Sequence, residues 1–218
     1  MGVNLIGLTQ PSAITGCRTA EELVAYCARV SNPANQANHQ SGSKLITHLL
    51  TEGHWSPLEM VSVNMEIITT RDIARQILRH RSFSFQEFSQ RYAVAQNFEF
   101  REARMQDHKN RQNSIKTDDS YIKETFNMKQ VELLRRIEEV YGWALEVGIA
   151  KEQARAILPE GMTQSTMYMN GTLRSWIHYC MLRRANGTQL EHMLIADECW
   201  EVLKQHFPSV TEAVDNLG

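Results

Sequence analysis

The sequence predicts a mixed α/β (α+β) fold, in which several helices pack against a mixed β-sheet within a single domain spanning residues 1–218. The length favours one domain, because 218 residues with 42% hydrophobic side chains suffice for one core. Residues 61–67 alternate apolar and polar side chains, which is the pattern of a strand with one buried face. Several other stretches repeat apolar residues every three or four positions, which is the spacing of a helix face.

The N-terminal part begins with an apolar run, residues 3–8, which predicts a first strand. Thr19 is then a candidate helix cap, and Glu22 three positions later completes the pattern of a capping box. Pro33 ends this helix, because a proline disfavours helical geometry in the residue before it. The polar residues that follow are expected to form a loop before the second helix.

The remaining elements follow from the same signals. Residues 93–117 are polar and weakly patterned, so they are predicted to form a long excursion with one strand at 98–100. Residues 161–170 are predicted to be extended, and apolar stripes place Val131 and Leu194 in the core. Helices are expected at 44–51 after a Ser41 or Ser43 cap, from a Thr69 or Thr70 cap to about 79, from Asp118 or Ser120 to 146, and at 151–158, 173–184 and 189–206.

Composition argues against several classes of protein. The net charge of -2 disfavours bulk binding of nucleic acid or membranes, which needs a strong basic excess. We expect no membrane span, because no apolar run is long enough, and no signal peptide, because the N-terminus lacks a basic and an apolar region. The 4 cysteines show neither CxxC pairs nor metal-ligand spacing, which predicts buried free thiols in the cytoplasm and no metal site.

Residues 79–92 carry the densest set of directed polar groups in the chain. Arginines, a histidine, serines and glutamines alternate there with aromatic residues. Arginine forks bind phosphate through two nitrogens and serine hydroxyls add donors, so the stretch predicts an anion site for a nucleotide. The alternative for its arginines is a solvated helix face, or cations favoured at a helix C-terminus. The sequence has no glycine-rich phosphate loop, GxSxG motif or HExxH motif, so side chains must hold any nucleotide.

Two other segments carry candidate site residues. Residues 53–59 combine a histidine, a serine, a glutamate and a tryptophan, although a capped turn with a structural histidine is slightly favoured on these residues alone. In the helix at 173–184, Arg174 and His178 are four positions apart and therefore neighbours on one face. For this pair, a ligand-binding role and separate solvent-exposed roles are equally consistent with the pattern.

Four segments, taken in order, resemble those of flavin-dependent thymidylate synthases. Arg79-His80-Arg81, followed after seven residues by Ser89, resembles the signature of that family, and Gln90-Arg91-Tyr92 continues the match. Gly53-His54-Trp55-Ser56-Pro57-Leu58-Glu59 resembles its G-H-x-[ST]-P-x-E segment. Arg155-Ala156-Ile157-Leu158-Pro159 resembles its A-R-x-x-L-P segment, and the helix from Arg174 to Arg183 resembles its final ligand-binding helix.

The resemblance implies a reaction, the reductive methylation of dUMP to dTMP. It implies 5,10-methylenetetrahydrofolate as the carbon donor, NADPH-reduced FAD as the hydride source, and no cysteine nucleophile. It also implies a homotetramer of mixed α/β protomers, with active sites between subunits. The expected partners are therefore dUMP, folate, NADPH and further copies of the chain, and neither nucleic acid nor membrane.

The resemblance also assigns roles to individual residues. Ser89 and Arg91 would cradle the phosphate of dUMP. Arg183 would be catalytic, because it would lie beside the uracil and favour its N3-deprotonated form. The implied dUMP contacts are Gln76, Ile77, Leu78, Arg79, Glu87, Phe88, Ser89, Gln90, Arg91, Arg155 and Arg183. The implied FAD contacts are His54, Ser56, Arg79, His80, Arg81, Glu87, Asn170, Thr172, Arg174 and His178.

Three departures from the family pattern leave alternatives open. Gln86 and His178 stand where the family often has asparagine. One extra residue between Pro159 and Arg174 leaves either Asn170 or Thr172 as the flavin contact. A non-catalytic nucleotide- or RNA-binding protein that uses residues 79–92 is the alternative function, because arginine planes and aromatic faces also bind single-stranded bases.

Overall fold

The computed structural model describes residues 1–217, and its central element is a four-stranded sheet in the order β1-β2-β6-β3. Alternation of side chains builds the sheet, because Met65 and Ile67 of β2 and Met167 and Met169 of β6 all turn one way and are fully buried. The strands of this sheet are β1 Gly2–Leu8, β2 Ser62–Thr70, β3 Ser84–Glu87 and β6 Gln164–Thr172, while β4 Arg104–Gln106 and β5 Ser114–Lys116 form a separate hairpin.

Eight α-helices complete the part of the chain that the structure describes, and three of them make the main contacts with the sheet. The largest fully buried side chains include Trp176, Trp200 and Phe207, which join the strand residues in one core. None of these helices is long and apolar enough to cross a membrane. The helices are α1 Ala20–Ala28, α2 Gly42–Thr51, α3 Arg71–Ile77, α4 Ser120–Glu146, α5 Lys151–Ala154, α6 Leu173–Arg183, α7 Leu190–His206 and α8 Pro208–Asp215.

The α/β (α+β) class is confirmed, but the sheet is antiparallel and not mixed in strand direction. The three pairings β1–β2, β2–β6 and β6–β3 all run antiparallel. β2 and β3 both run against β6 and are therefore parallel to each other, so the connection through α3 crosses from one end of the sheet to the other. Between β1 and β2, and between β3 and β6, the chain returns at the end it left. β3 lies at one edge and therefore pairs with β6 alone.

Helix caps follow the predicted chemistry with shifts of one residue. The Thr19 hydroxyl accepts a hydrogen bond from the Glu22 amide (3.1 Å), as predicted. The Glu22 carboxylate accepts from the amide of Arg18 (2.6 Å), so the reciprocal bond of the capping box reaches one residue further back. The cap of α4 is Asp119, which accepts from the Ile122 amide (3.2 Å) and lies between the two predicted candidates.

Several local predictions were wrong. The strand predicted at 98–100 is a single bridge from Phe98 to Thr163, and α8 was not predicted. Val131 and Leu194 are exposed, because α4 buries Gln130 in place of Val131 and α7 buries Ile195 in place of Leu194. α5 is shorter than predicted, since the last part of the expected helix is a 3-10 turn at Arg155–Ile157.

Candidate active site

Residues 79–92 connect the end of α3 to the edge of the sheet. The His80 amide donates to the Ile77 carbonyl (3.0 Å) and closes the helix. β3 then pairs with β6, and beyond it the Ser89 carbonyl accepts from the Tyr92 amide (3.1 Å) to form a turn. The predicted anion-binding stretch is therefore a helix end, a short edge strand and a turn in succession.

Arg183 meets His80 where the end of α6 reaches this connector. The Nε–H of Arg183 donates to Nε2 of His80 (2.9 Å). Burial lowers the pKa of His80 to about 4, and the positive charges of Arg183 and Arg79 act in the same direction. His80 is consequently neutral near pH 7 and accepts through its lone pair. Arg183, which the resemblance places beside the uracil, is thus in direct contact with His80, which it places beside the flavin.

The exposed face of α6 packs beside the loop that follows α2. Gly53 adopts a left-handed conformation (φ 71°), which lets the chain leave α2 sharply. The Trp55 ring then lies against His178, with 4.7 Å between the ring centroids. Partial burial lowers the pKa of His178, and the charge of Arg174 adds to the effect.

An ion pair fixes the same loop to α6. Arg174 donates to the carboxylate of Glu59, which lies in the 3-10 turn Ser56–Met60. His54 and Ser56 are exposed beside this contact. The structure therefore brings together His54, Ser56, Arg174 and His178, which are four of the residues implied to bind FAD. It adds Trp55 and Glu59, to which the resemblance assigned no individual role.

A cationic cluster forms where the turn after β3 meets α5. Arg91 Nη2 lies 3.4 Å from Glu152 Oε2, and Arg155 Nε donates to the Glu152 carbonyl (3.3 Å). Lys151 Nζ donates to the Tyr92 carbonyl (2.9 Å). A cavity of about 420 Å³ opens beside this cluster and is lined by Arg91, Lys151 and Glu152, but not by Arg155. Two cations against one carboxylate make the cavity a suitable place for a phosphate, and Lys151 was not identified from the sequence.

Glu87, the last residue of β3, is held in place from both sides. The Ser165 hydroxyl donates to its Oε1 (2.7 Å), and Arg71 Nη1 lies 3.4 Å from the same oxygen. Its carboxylate is therefore oriented by the protein itself.

Two of the implied dUMP contacts are not available as side chains. Ile77 is fully buried on the inner face of α3, so a contact there must use its backbone. Gln90 is also buried, and its Nε2 has no hydrogen-bond partner among residues 1–217. Leu78 and Phe88 are partly exposed and remain compatible with a ligand contact.

Asn170 and Thr172 have different local roles. The Thr172 hydroxyl caps α6, because it accepts from the Ser175 amide (3.3 Å). Asn170 lies on the exposed face of the sheet, beside Ser84 of β3 and near Gln86 two residues along. The geometry therefore leaves the Asn170 side chain as the more accessible of the two.

The site residues form two groups in one chain. The first surrounds α6 and includes Arg183, His80 and Arg174; the second surrounds α5 and includes Arg91 and Arg155. Within residues 1–217, no hydrogen bond or ion pair between side chains of the two groups joins them. Arg79, Arg81 and Ser89 are exposed on the stretch between the groups.

Comparison with known proteins gives close relatives over almost the whole chain. The family model "Thymidylate synthase complementing protein" (Thy1) matches residues 14–209. A protein of Paramecium bursaria Chlorella virus 1, described as "Probable flavin-dependent thymidylate synthase", is 49% identical over 216 residues, which are 99% of each chain. The "Flavin-dependent thymidylate synthase" of Synechocystis sp. is 48% identical over 217 residues, covering 99% of this chain and 100% of that relative.

A solved structure shares the fold. The UMP/dUMP methylase PolB from Streptomyces cacaoi, bound with 5-Br dUMP, matches with a TM-score of 0.83 at 25% identity, covering 98% of this chain and 94% of the other. The family match over residues 14–209 and two full-length relatives near 50% identity agree with each other. The chain therefore belongs to the flavin-dependent thymidylate synthase family.

Proposed function

We propose that this protein catalyses the reductive methylation of dUMP to dTMP, with 5,10-methylenetetrahydrofolate as carbon donor and NADPH-reduced FAD as hydride source. The contact between Arg183 and His80 (2.9 Å) carries the proposal, because it joins the implied substrate side to the implied flavin side. Family membership supports it, since the relatives are named for flavin dependence and the matched solved structure is called a UMP/dUMP methylase. The same observations favour an enzyme over a non-catalytic nucleotide- or RNA-binding protein.

The residues implied at the flavin fit a flat cofactor that carries phosphates. Arg81 and Arg174 supply positive charge for phosphate oxygens, and Trp55 and His178 supply adjacent aromatic rings where the loop after α2 meets α6. His54 adds a further polar group on the same loop. Bound flavin supplies the hydride that completes the new methyl group. The task of the protein residues is to hold and orient it against the substrate.

On the substrate side, Arg183 stabilises the negative charge of a uracil that has lost its N3 proton. Its Nε is occupied by His80, which leaves the two terminal nitrogens of the guanidinium for the substrate. Because His80 is neutral, it orients Arg183 without adding a competing charge. A uracil activated in this way is itself the carbon nucleophile, so no enzyme thiol is required.

The test is an assay of the purified protein with FAD, dUMP, 5,10-methylenetetrahydrofolate and NADPH. The protein is expected to be yellow, to lose flavin absorbance when NADPH is added, and to form dTMP only when dUMP and the folate are both present. A protein that gained no flavin absorbance after addition of FAD would contradict the proposal.

Phosphate binding gives a second test. Ser89→Ala and Arg91→Ala are each expected to weaken dUMP binding by about tenfold, because each removes a donor to a charged acceptor. Isothermal titration of dUMP into the flavin-loaded protein measures the change, and FAD affinity should stay as in wild type. Arg136→Ala is a matched control, since Arg136 forms an exposed ion pair with Glu139 on α4. Unchanged dUMP affinity in both site variants would refute the phosphate assignment.

The cysteines are expected to be dispensable for catalysis. Cys180 and Cys199 are fully buried, and burial raises the pKa of both thiols, so neither is a thiolate near pH 7. Burial also raises the pKa of Cys27. A variant with alanine at Cys180 and Cys199 and serine at Cys17 and Cys27 should lose about 1–3 kcal/mol of stability through packing. Its turnover should stay close to wild type; a folded, flavin-loaded variant without activity would restore a thiol mechanism.

The proposal includes a homotetramer in which residues 1–218 act as one domain and the active sites lie between subunits. The separation of the two site groups within one chain supports such shared sites. So does α4, which exposes Tyr121, Met128 and Trp143 although these are large apolar side chains. Sedimentation velocity should give the mass of four chains, and a monomer would contradict this part. The proposal places the protein in the cytoplasm, which the four unpaired cysteines support.

A further inference from the structure

A chain of four hydrogen bonds runs beneath the implied nucleotide site, from α6 through α7 to α3. It begins at the Tyr179 hydroxyl, which lies 3.2 Å from Nε2 of His192. Nδ1 of His192 lies 3.3 Å from Oε1 of Gln76. Nε2 of Gln76 donates to Oε1 of Gln189 (2.7 Å), and Nε2 of Gln189 donates to Oε2 of Glu191 (2.9 Å).

Glu191, at the end of this series, fixes the donor and the acceptor of each hydrogen bond in it. Glu191 is ion-paired with Arg101, with 3.6 Å between Oε1 and Nη1, and a carboxylate can only accept hydrogen bonds. Gln189 must therefore turn its amide nitrogen to Glu191 and its oxygen to Gln76. Gln76 must in turn direct its nitrogen at Gln189 and its oxygen at His192. A reversed chain would leave two oxygens without a proton between them.

The neutral state of His192, which is fully buried, decides which of its ring nitrogens carries the proton. Burial lowers its pKa to about 3, and the charge of Arg183 and the proximity of His80 act in the same direction. A neutral imidazole carries one N–H, which must lie on Nδ1 because Gln76 offers an oxygen. Nε2 then accepts from the Tyr179 hydroxyl. The rings of His80 and Tyr179 meet edge to face, with 4.9 Å between centroids, so these hydrogen bonds begin at a residue that packs against the Arg183–His80 contact.

We propose that His192 is a positioning residue of the nucleotide site, which acts through Gln76. By holding Oε1 of Gln76, it makes the site offer an amide N–H donor to an acceptor oxygen of the nucleotide. One hydrogen of the Gln76 amide is used by Gln189, which leaves the second for a ligand of this partly exposed residue. This inference rests on the proposed function, in which Gln76 contacts dUMP.

The first test needs no ligand. In protein labelled with ¹⁵N at histidine, a long-range ¹H–¹⁵N spectrum should show His192 as the Nδ1–H tautomer, with no titration between pH 5 and 8. Loss of these signals in His192→Phe assigns them. An Nε2–H tautomer, or an imidazolium in that range, would overturn the deduced direction of the chain.

The second test compares two substitutions of His192 in the flavin-loaded protein, with calorimetry of dUMP binding as the readout. His192→Phe retains a ring but removes the donor to Gln76, so dUMP should bind about tenfold more weakly. His192→Asn carries an amide N–H in place of Nδ1–H and should restore affinity to within about threefold of wild type. FAD affinity should be the same in all three proteins.

Val210→Ala serves as a stability-matched control, because Val210 is fully buried in α8 and takes no part in the series of hydrogen bonds from Tyr179 to Glu191. It should lose stability and bind dUMP as wild type does. Equal weakening in His192→Phe and His192→Asn, or wild-type affinity in His192→Phe, would reduce His192 to a structural role and overturn the proposal. If wild-type protein bound no dUMP, the proposed function would fall together with the role of His192 in it, whereas the tautomer result would stand.

Discussion

Arg183→Ala is expected to fold, to retain FAD and to form dTMP at least about a hundredfold more slowly than wild type, which is the usual cost of removing one preorganised charge from a reacting centre. Arg183 is the cation that we assign to the deprotonated uracil, and His80 fixes its guanidinium through Nε. The substitution removes that charge but leaves the contacts of α6 with the Trp55 loop in place. Initial rates of dTMP formation and the flavin absorbance of the same sample measure the two effects separately.

Arg184→Ala is the matched control for this prediction. Arg184 ends the same helix, but it pairs with Asp197 (2.9 Å) and stacks 5.0 Å above Trp200, away from His80. It should lose some stability and little turnover. Arg183→Lys keeps the charge without the geometry of Nε and should fall between wild type and alanine. Wild-type turnover in Arg183→Ala would remove uracil activation from this residue.

Gly171→Ala is expected to lower the free energy of unfolding by about 1–3 kcal/mol, which is the usual cost of overpacking a core. A Cβ at this position of β6 would lie 2.4 Å from Cδ1 of Phe83. That ring has little room to move, because it packs edge-on against Trp176 with 4.9 Å between centroids. Phe83 precedes β3, so the displaced ring should also shift the nucleotide-binding stretch. Urea unfolding and dUMP titration measure these two consequences.

Gly142→Ala provides the contrast, because nothing lies within 4 Å of a Cβ at that position of α4. Alanine also favours a helix over glycine, so this variant should match or exceed wild-type stability. Adding Phe83→Leu to Gly171→Ala should restore part of the lost stability by opening space for the new methyl group. If Gly171→Ala were as stable as wild type, the close approach of Phe83 and β6 would not be rigid.

Local pattern was sufficient to predict the helices and strands that carry strong periodicity, and motif spacing was sufficient to predict the family to which the chain belongs. Thr19 and the alternation of β2 are read from neighbouring residues, and both were confirmed. β3 was not predicted, because four residues carry too little periodicity and the strand depends on pairing with β6. Ile77 was placed at the nucleotide by motif position, although helical geometry turns its side chain into the core.

Contacts between residues far apart in the sequence could not be predicted from local patterns. His192 and Gln189 contact Gln76 across 116 and 113 positions, and no local signal in α7 indicates either contact. The same holds for Lys151 and Tyr92, which meet only because α5 packs beside the turn after β3. Spacing along one helix predicts which residues share a face, but tertiary packing decides what that face meets.

The edge position of β3 has a consequence for the energetics of the whole site. Its four residues are held by one neighbouring strand, whereas β2 is paired on both sides and its inward side chains are fully buried. In native-state hydrogen exchange, the amides of β3 should therefore exchange through local opening, and those of β2 only through global unfolding. Because dUMP would bind the closed form alone, it should slow exchange in β3 in proportion to its concentration. Bound substrate would then stabilise the edge strand, so the local stability of β3 would rise with the concentration of dUMP.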